Sequence, residues 1–128
     1  MNMNAESVSS TPVVLYEAVL GQVLKRLREH RGLNQAQMAR ELEITQSYWS
    51  KIEQGAVDVP TSLLRASCSA LGVTQSQLLS QVDEVCRQAE ERGVKILDRG
   101  ETKKTSDWLP LLGMAAVARL IGLALSKK

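Results

Sequence analysis

The chain has 128 residues, 44% of them hydrophobic and 23% charged, which is room for one domain and an appendage but not for two sizeable cores. Its four aromatic residues, Tyr16, Tyr48, Trp49 and Trp108, include no Phe, so the core must be built from Leu, Val, Ile, Met and Ala, a mixture that favours helices. A net charge of +2 announces no particular partner, and a single histidine with two cysteines outside any paired motif leaves zinc, redox and nucleophilic-triad sites without their groups. No enzyme activity, cofactor or metal is expected, and with no basic segment and apolar run at the start the expected compartment is the cytoplasm.

Residues 1–11 are polar and small and read as a flexible N-terminal arm. Thr11 and Pro12 have the pattern of an N-cap and first helical residue, and Tyr16, Leu20, Val23, Leu24 and Leu27 recur at the spacing of one helical face. The first helix is therefore expected from Pro12 to about His30, closed by Gly32. Asn34 caps a short second helix whose Met38, Ala39 and Leu42 fall in a narrow arc, ending near Glu43. Thr45 caps a third helix from Gln46 to Gln54, with Trp49 and Ile52 on its inner side, Tyr48 at the edge, and Gln46, Ser47, Ser50, Lys51 and Gln54 on the opposite side. A fourth helix runs from Pro60 or Thr61 to Leu71, stopped by Gly72, and Thr74 caps a fifth that extends to Arg92. Residues 12–92 thus form one domain with extended first and fifth helices. Residues 93–107 read as a linker, in which Val94 to Leu97 is a brief apolar run open to strand or helix. Residues 108–126 are a hydrophobic C-terminal helix capped by Ser106 or Asp107.

Two short helices three or four residues apart, the second polar on its outer side, have the pattern of a helix-turn-helix. A small residue is needed where they touch, and Ala39 supplies it. The segments Leu33 to Ala39 (LNQAQMA), Ile44 to Ser47 (ITQS), Ile52 to Gly55 (IEQG) and Leu71 to Val73 (LGV) together resemble the lambda-repressor-like Cro/CI family, also called Xre, over about residues 17–79. The resemblance implies an all-α, five-helix DNA-binding domain, here with an additional C-terminal helix, whose third helix enters the major groove. It implies that Gln35 contacts phosphate and buttresses the first recognition residue, that Gln46 and Ser47 read bases, and that Arg28 and Glu53 form a structural ion pair between the first and third helices. Lys51, one turn along, can reach a guanine or a phosphate, and Tyr48 and Ser50 are secondary DNA-binding candidates. Where the family often has Gly in the turn, this chain has Glu43, a position strained by roughly 1 kcal/mol or more for a residue with a side chain.

Over residues 16–79 there are seven basic side chains (Lys25, Arg26, Arg28, Arg31, Arg40, Lys51, Arg65) and six acidic (Glu17, Glu29, Glu41, Glu43, Glu53, Asp58). So nearly neutral a domain gains little from counterion release, and a homodimer or higher oligomer on a dyad-symmetric operator is expected to restore affinity. For the apolar stretch Trp108 to Leu125 three burials are open: self-association, packing on the first or fifth helix, and a membrane, which Arg119 disfavours. The expected function is sequence-specific transcriptional regulation, by repression, with double-stranded DNA as partner. The alternatives are an antitoxin that binds a toxin and autoregulates its operon, and a membrane-attached helix-turn-helix scaffold.

Overall fold

The computed structural model describes residues 11–100 and 114–125. In chain order these form β1 (Val13–Leu15), α1 (Tyr16–His30), α2 (Gln35–Leu42), α3 (Gln46–Glu53), α4 (Thr61–Leu71), α5 (Gln75–Glu91), β2 (Lys95–Leu97) and α6 (Met114–Leu125). The starts of α2, α3 and α5 follow from side-chain caps. The Asn34 side chain accepts from the Gln37 backbone N–H while the Gln37 side chain accepts from that of Asn34, and Thr74 and Gln77 repeat the exchange at α5. Thr45 accepts from the Tyr48 N–H at the head of α3. Each such cap is worth about 1 kcal/mol to its helix.

The first helix starts later than Thr11 and Pro12 suggest. Val13–Leu15 is extended and pairs in parallel with Lys95–Leu97, Val13 opposite Lys95 and Leu15 opposite Leu97, and the Lys95 N–H donates to the Pro12 carbonyl at 2.9 Å. The reason is tertiary: Val13 and Val14 are both fully buried, so two β-branched residues gain more from burial in a strand than from one further helical turn. The partner strand lies where a linker is expected from residue 93. Val94 and Leu97 are buried, so this part of the segment belongs to the folded body. The proposed arm up to residue 10, linker residues 101–107 and the start of the apolar stretch, Trp108 to Gly113, lie outside the described residues.

The core is continuous. Val19, Val23 and Leu24 of α1 meet Met38 and Ala39 of α2, Trp49 and Ile52 of α3, Cys68 and Leu71 of α4, and Leu78, Val82 and Val85 of α5. Helix α6 packs on α1 and α5, burying Val117, Ile121 and Ala124. The described part of the tail thus packs within the chain, against α1 and α5. Among the described residues no helix is long and apolar enough to cross a membrane. Cys68 is buried in α4, and burial raises its thiol pKa; at the half-buried Cys86, burial, then Glu90 and Asp83, push it up to about 11. Both thiols are protonated at neutral pH.

Helices α1, α3, α4 and α5 each end at a glycine with positive φ, and α2 ends at Glu43, with φ 57° and ψ 42°. The chain turns there as a glycine would, the Ile44 N–H reaching the Ala39 carbonyl at 3.0 Å. Glu43 is therefore held in the left-handed region by the packing of Ile44 and the start of α3. Glu43→Gly is expected to stabilise the protein by about 1 kcal/mol in urea denaturation; a loss of stability would show that the Glu43 side chain makes a contact worth more than its strain.

Candidate nucleic-acid interface

Helix α3 lies across α1 with almost no space between the two backbones. A Cβ on Gly21 would lie 2.3 Å from the Ile52 carbonyl oxygen and 2.6 Å from that of Glu53, and a Cβ on Gly55 would lie 2.6 Å from the Ala18 Cα. Such contacts involve main chain that cannot swing aside, so Gly21 and Gly55 set how closely α3 seats.

The seat is fixed by one carboxylate. Glu53, with 2% of its surface exposed, receives Arg28 Nε at 2.6 Å on Oε2 and Arg28 Nη2 at 3.1 Å on Oε1. The Trp49 indole N–H donates to Oε2 at 2.5 Å and Gln35 Nε2 donates to Oε1 at 2.8 Å. Arg28 is itself completed by Nη1 donating to the Leu33 carbonyl at 2.7 Å, and Gln22 Nε2 donates to the Glu53 carbonyl at 3.3 Å. Four donors on one buried carboxylate compensate the desolvation that a lone charge would suffer, and they tie α1, the head of α2 and α3 to the same two oxygen atoms.

The opposite side of α3 is polar and open. Gln46, Ser47, Lys51 and the C-cap Gln54 are exposed; Ser50 is half-buried and accepts from Gln54 Nε2 at 3.2 Å. Tyr48 is half-buried and packs on the core, while Trp49 and Ile52 are fully buried. The one carboxylate of α3 is Glu53, which faces inward, so the outer side carries amides, hydroxyls and a cation with no acid among them. Such groups can donate and accept at base edges and bind phosphate.

The structure brings Gln46, Ser47, Tyr48, Ser50 and Lys51 together on one helix, and Gln35 stands at the head of α2. Its side-chain nitrogen donates to Glu53 Oε1 and so joins the head of α2 to α3. Two residues that hold α3 were not visible in the sequence. Gln22 lies within the apolar run of α1. Arg99, in the segment expected from the sequence to be a linker, donates from Nη2 to the Gly55 carbonyl and from Nη1 to Asp58 Oδ1 at 3.1 Å. Neither belongs to a local pattern, since their partners are 31 to 44 residues away.

The same region is similar to known regulators. A family model described as a helix-turn-helix domain matches residues 19–80. The chain is 32% identical over 65 residues to the control protein C.MunI of a Mycoplasma species, spanning 50% of this chain and 88% of that protein. It is also 32% identical over 62 residues to the immunity repressor protein of Bacillus phage phi105, spanning 48% of this chain and 43% of the repressor. Two crystal structures of the clp gene regulator ClgR from Corynebacterium glutamicum have TM-scores of 0.57 and 0.52 at 26% identity, covering 60% and 53% of this chain and 83% and 87% of theirs.

Removing one partner of the buried pair leaves the other uncompensated. Glu53→Ala and Arg28→Ala are each expected to cost about 3–5 kcal/mol in urea denaturation, with the double variant costing clearly less than the sum; additive losses would mean that the two groups do not act on one another. Gly21→Ala is expected to cost about 1–3 kcal/mol or more because it meets backbone, and a neutral result would show that α1 and α3 can part without penalty.

Proposed function

The chain belongs to the Cro/CI-like (Xre) helix-turn-helix regulators, DNA-binding proteins of transcription, and from that premise we propose that it is a repressor that binds a dyad-symmetric operator as a homodimer and reads base edges from α3. The observation that carries the reading is the division of α3: its inner side is immobilised by Trp49, Ile52 and Glu53, while Gln46, Ser47 and Lys51 are exposed on the other.

In this reading Gln46 bonds an adenine through both ends of its amide, and Ser47 bonds a neighbouring base edge. Lys51 takes a guanine or a phosphate. Tyr48 and Ser50, half-buried beside them, contact the backbone from the flanks. Gln35 acts chiefly by holding the head of α2 against Glu53, so that the α2 N-terminus, with its backbone N–H groups, is presented to a phosphate. A nearly neutral domain bound by a few such contacts gains affinity when a second copy is linked to it, which supports dimeric binding to two half-sites. Similarity to a phage immunity repressor supports repression; in this reading the protein acts in the cytoplasm by occupying promoter DNA.

Selection of duplexes from a randomised pool, followed by mobility shift, tests this. Gln46→Ala and Ser47→Ala are expected to lose about 1–3 kcal/mol of discrimination at particular positions, with an unchanged melting temperature. Lys51→Ala should either relax one position or weaken binding evenly and lower the salt slope by about 1. Equal loss on every sequence with Gln46→Ala, or a wild-type chain that enriches no duplex, would contradict the proposal.

A further inference from the structure

The geometry points to Arg99 as a positioning residue for DNA reading: from beyond the helix-turn-helix it clasps the segment that leaves the recognition helix, and so fixes the exit end of α3. The inference rests on the reading of α3 as the element that contacts bases. Its basis is a contact between segments more than 40 residues apart, with one guanidinium holding two acceptors at once, the Gly55 carbonyl and the Asp58 carboxylate.

The carbonyls at the end of a helix lack partners within it. At the end of α3 two of the carbonyls beyond the regular ladder are taken up by side chains, that of Glu53 by Gln22 and that of Gly55 by Arg99. Gln22 belongs to α1 and is part of the buried seat. Arg99 approaches from the other direction, two residues after Leu97, which is 6% exposed and held in register with Leu15 by the parallel strand pair. The clasp therefore connects the exit of α3 to the strand pair, whose Leu97 is buried in the folded body. The cation also lies at the negative end of the α3 dipole, and it neutralises Asp58, whose side chain is 79% exposed on the segment just beyond the reading helix. An ion pair as open as this one adds little to global stability. Its effect is local, on the freedom of residues 55–58 and hence on the angle at which α3 is offered.

The test uses the full chain with Arg99→Ala and Arg99→Lys, the latter keeping the charge and stem but not the two-pronged grip. For Arg99→Ala, amide hydrogen exchange at Gly55 and Ala56 is expected to quicken about five- to tenfold, while the amides of Val82 and Val85 in α5 stay as they are. Affinity for the duplex that the wild-type chain enriches from a random pool should fall about five- to tenfold, and the slope of affinity against salt should not change, because Arg99 is not itself a phosphate contact. Arg99→Lys should show part of both effects. Unchanged exchange at Gly55 and Ala56, unchanged affinity in either variant, or a salt slope reduced by about 0.9 would overturn the inference. A wild-type chain that enriches no duplex overturns the reading by α3 and this inference with it, whereas failure of the Arg99 variants alone leaves that reading standing.

Discussion

The structure depends on one buried carboxylate. Glu53 closes α3 and turns its two oxygen atoms inward to Arg28, Trp49 and Gln35, which come from α1, from α3 itself and from the head of α2. A charge so deeply placed is tolerated because four donors converge on its two oxygen atoms, and that requirement leaves the three helices little choice of arrangement. Hydrophobic burial supplies most of the drive to fold. The carboxylate supplies the geometry, since directional bonds to two oxygen atoms fix angles that packing alone would leave loose.

Around this point the rest is arranged to keep α3 still. Gly21 and Gly55 let the backbones of α1 and α3 meet with no side chain between them, and Thr45 and Glu43 define where α3 begins. The left-handed Glu43 stores a little strain in the turn, which the packing of Ile44 and α3 holds in place. With one side of α3 fixed by Trp49 and Ile52, the amide of Gln46, the hydroxyl of Ser47 and the cation of Lys51 are held out on a rigid rod. Under the proposed function that rigidity matters chemically: base recognition depends on hydrogen bonds whose directions are set before contact, and a mobile reading helix would have to give up freedom on every binding event.

Much of this was legible in the sequence because it is local. Asn34, Thr45 and Thr74 mark helix starts within four residues of the groups they cap, and the spacing of Trp49 and Ile52 separates the inner side of α3 from the outer. The Arg28–Glu53 pair is implied by the family resemblance and is present in the structure; the base-reading roles of Gln46 and Ser47 are likewise implied by the resemblance and belong to the proposed function. What was not legible is nonlocal. Thr11 and Pro12 have the local signature of a helix start, yet Val13–Leu15 is drawn into a strand by a partner beyond α5. The apolar tail left its partner open until Val117, Ile121 and Ala124 were seen against α1 and α5. The resemblance implies a phosphate contact for Gln35 but gives no sign of its bond to Glu53 Oε1, a partner 18 residues along the chain. Arg99 had nothing around it to mark it as more than a charged residue in a linker.

The most direct test is nuclear magnetic resonance of the full chain bound to its enriched duplex, following the Trp49 indole proton and the side chains of Gln46 and Ser47 together. The account predicts through-space contacts from Gln46 and Ser47 to major-groove base protons, while the indole proton keeps the shift it has in the free protein because its bond to Glu53 is undisturbed. Contacts from another helix to the bases, or an indole proton that moves as though that bond had opened, would contradict it.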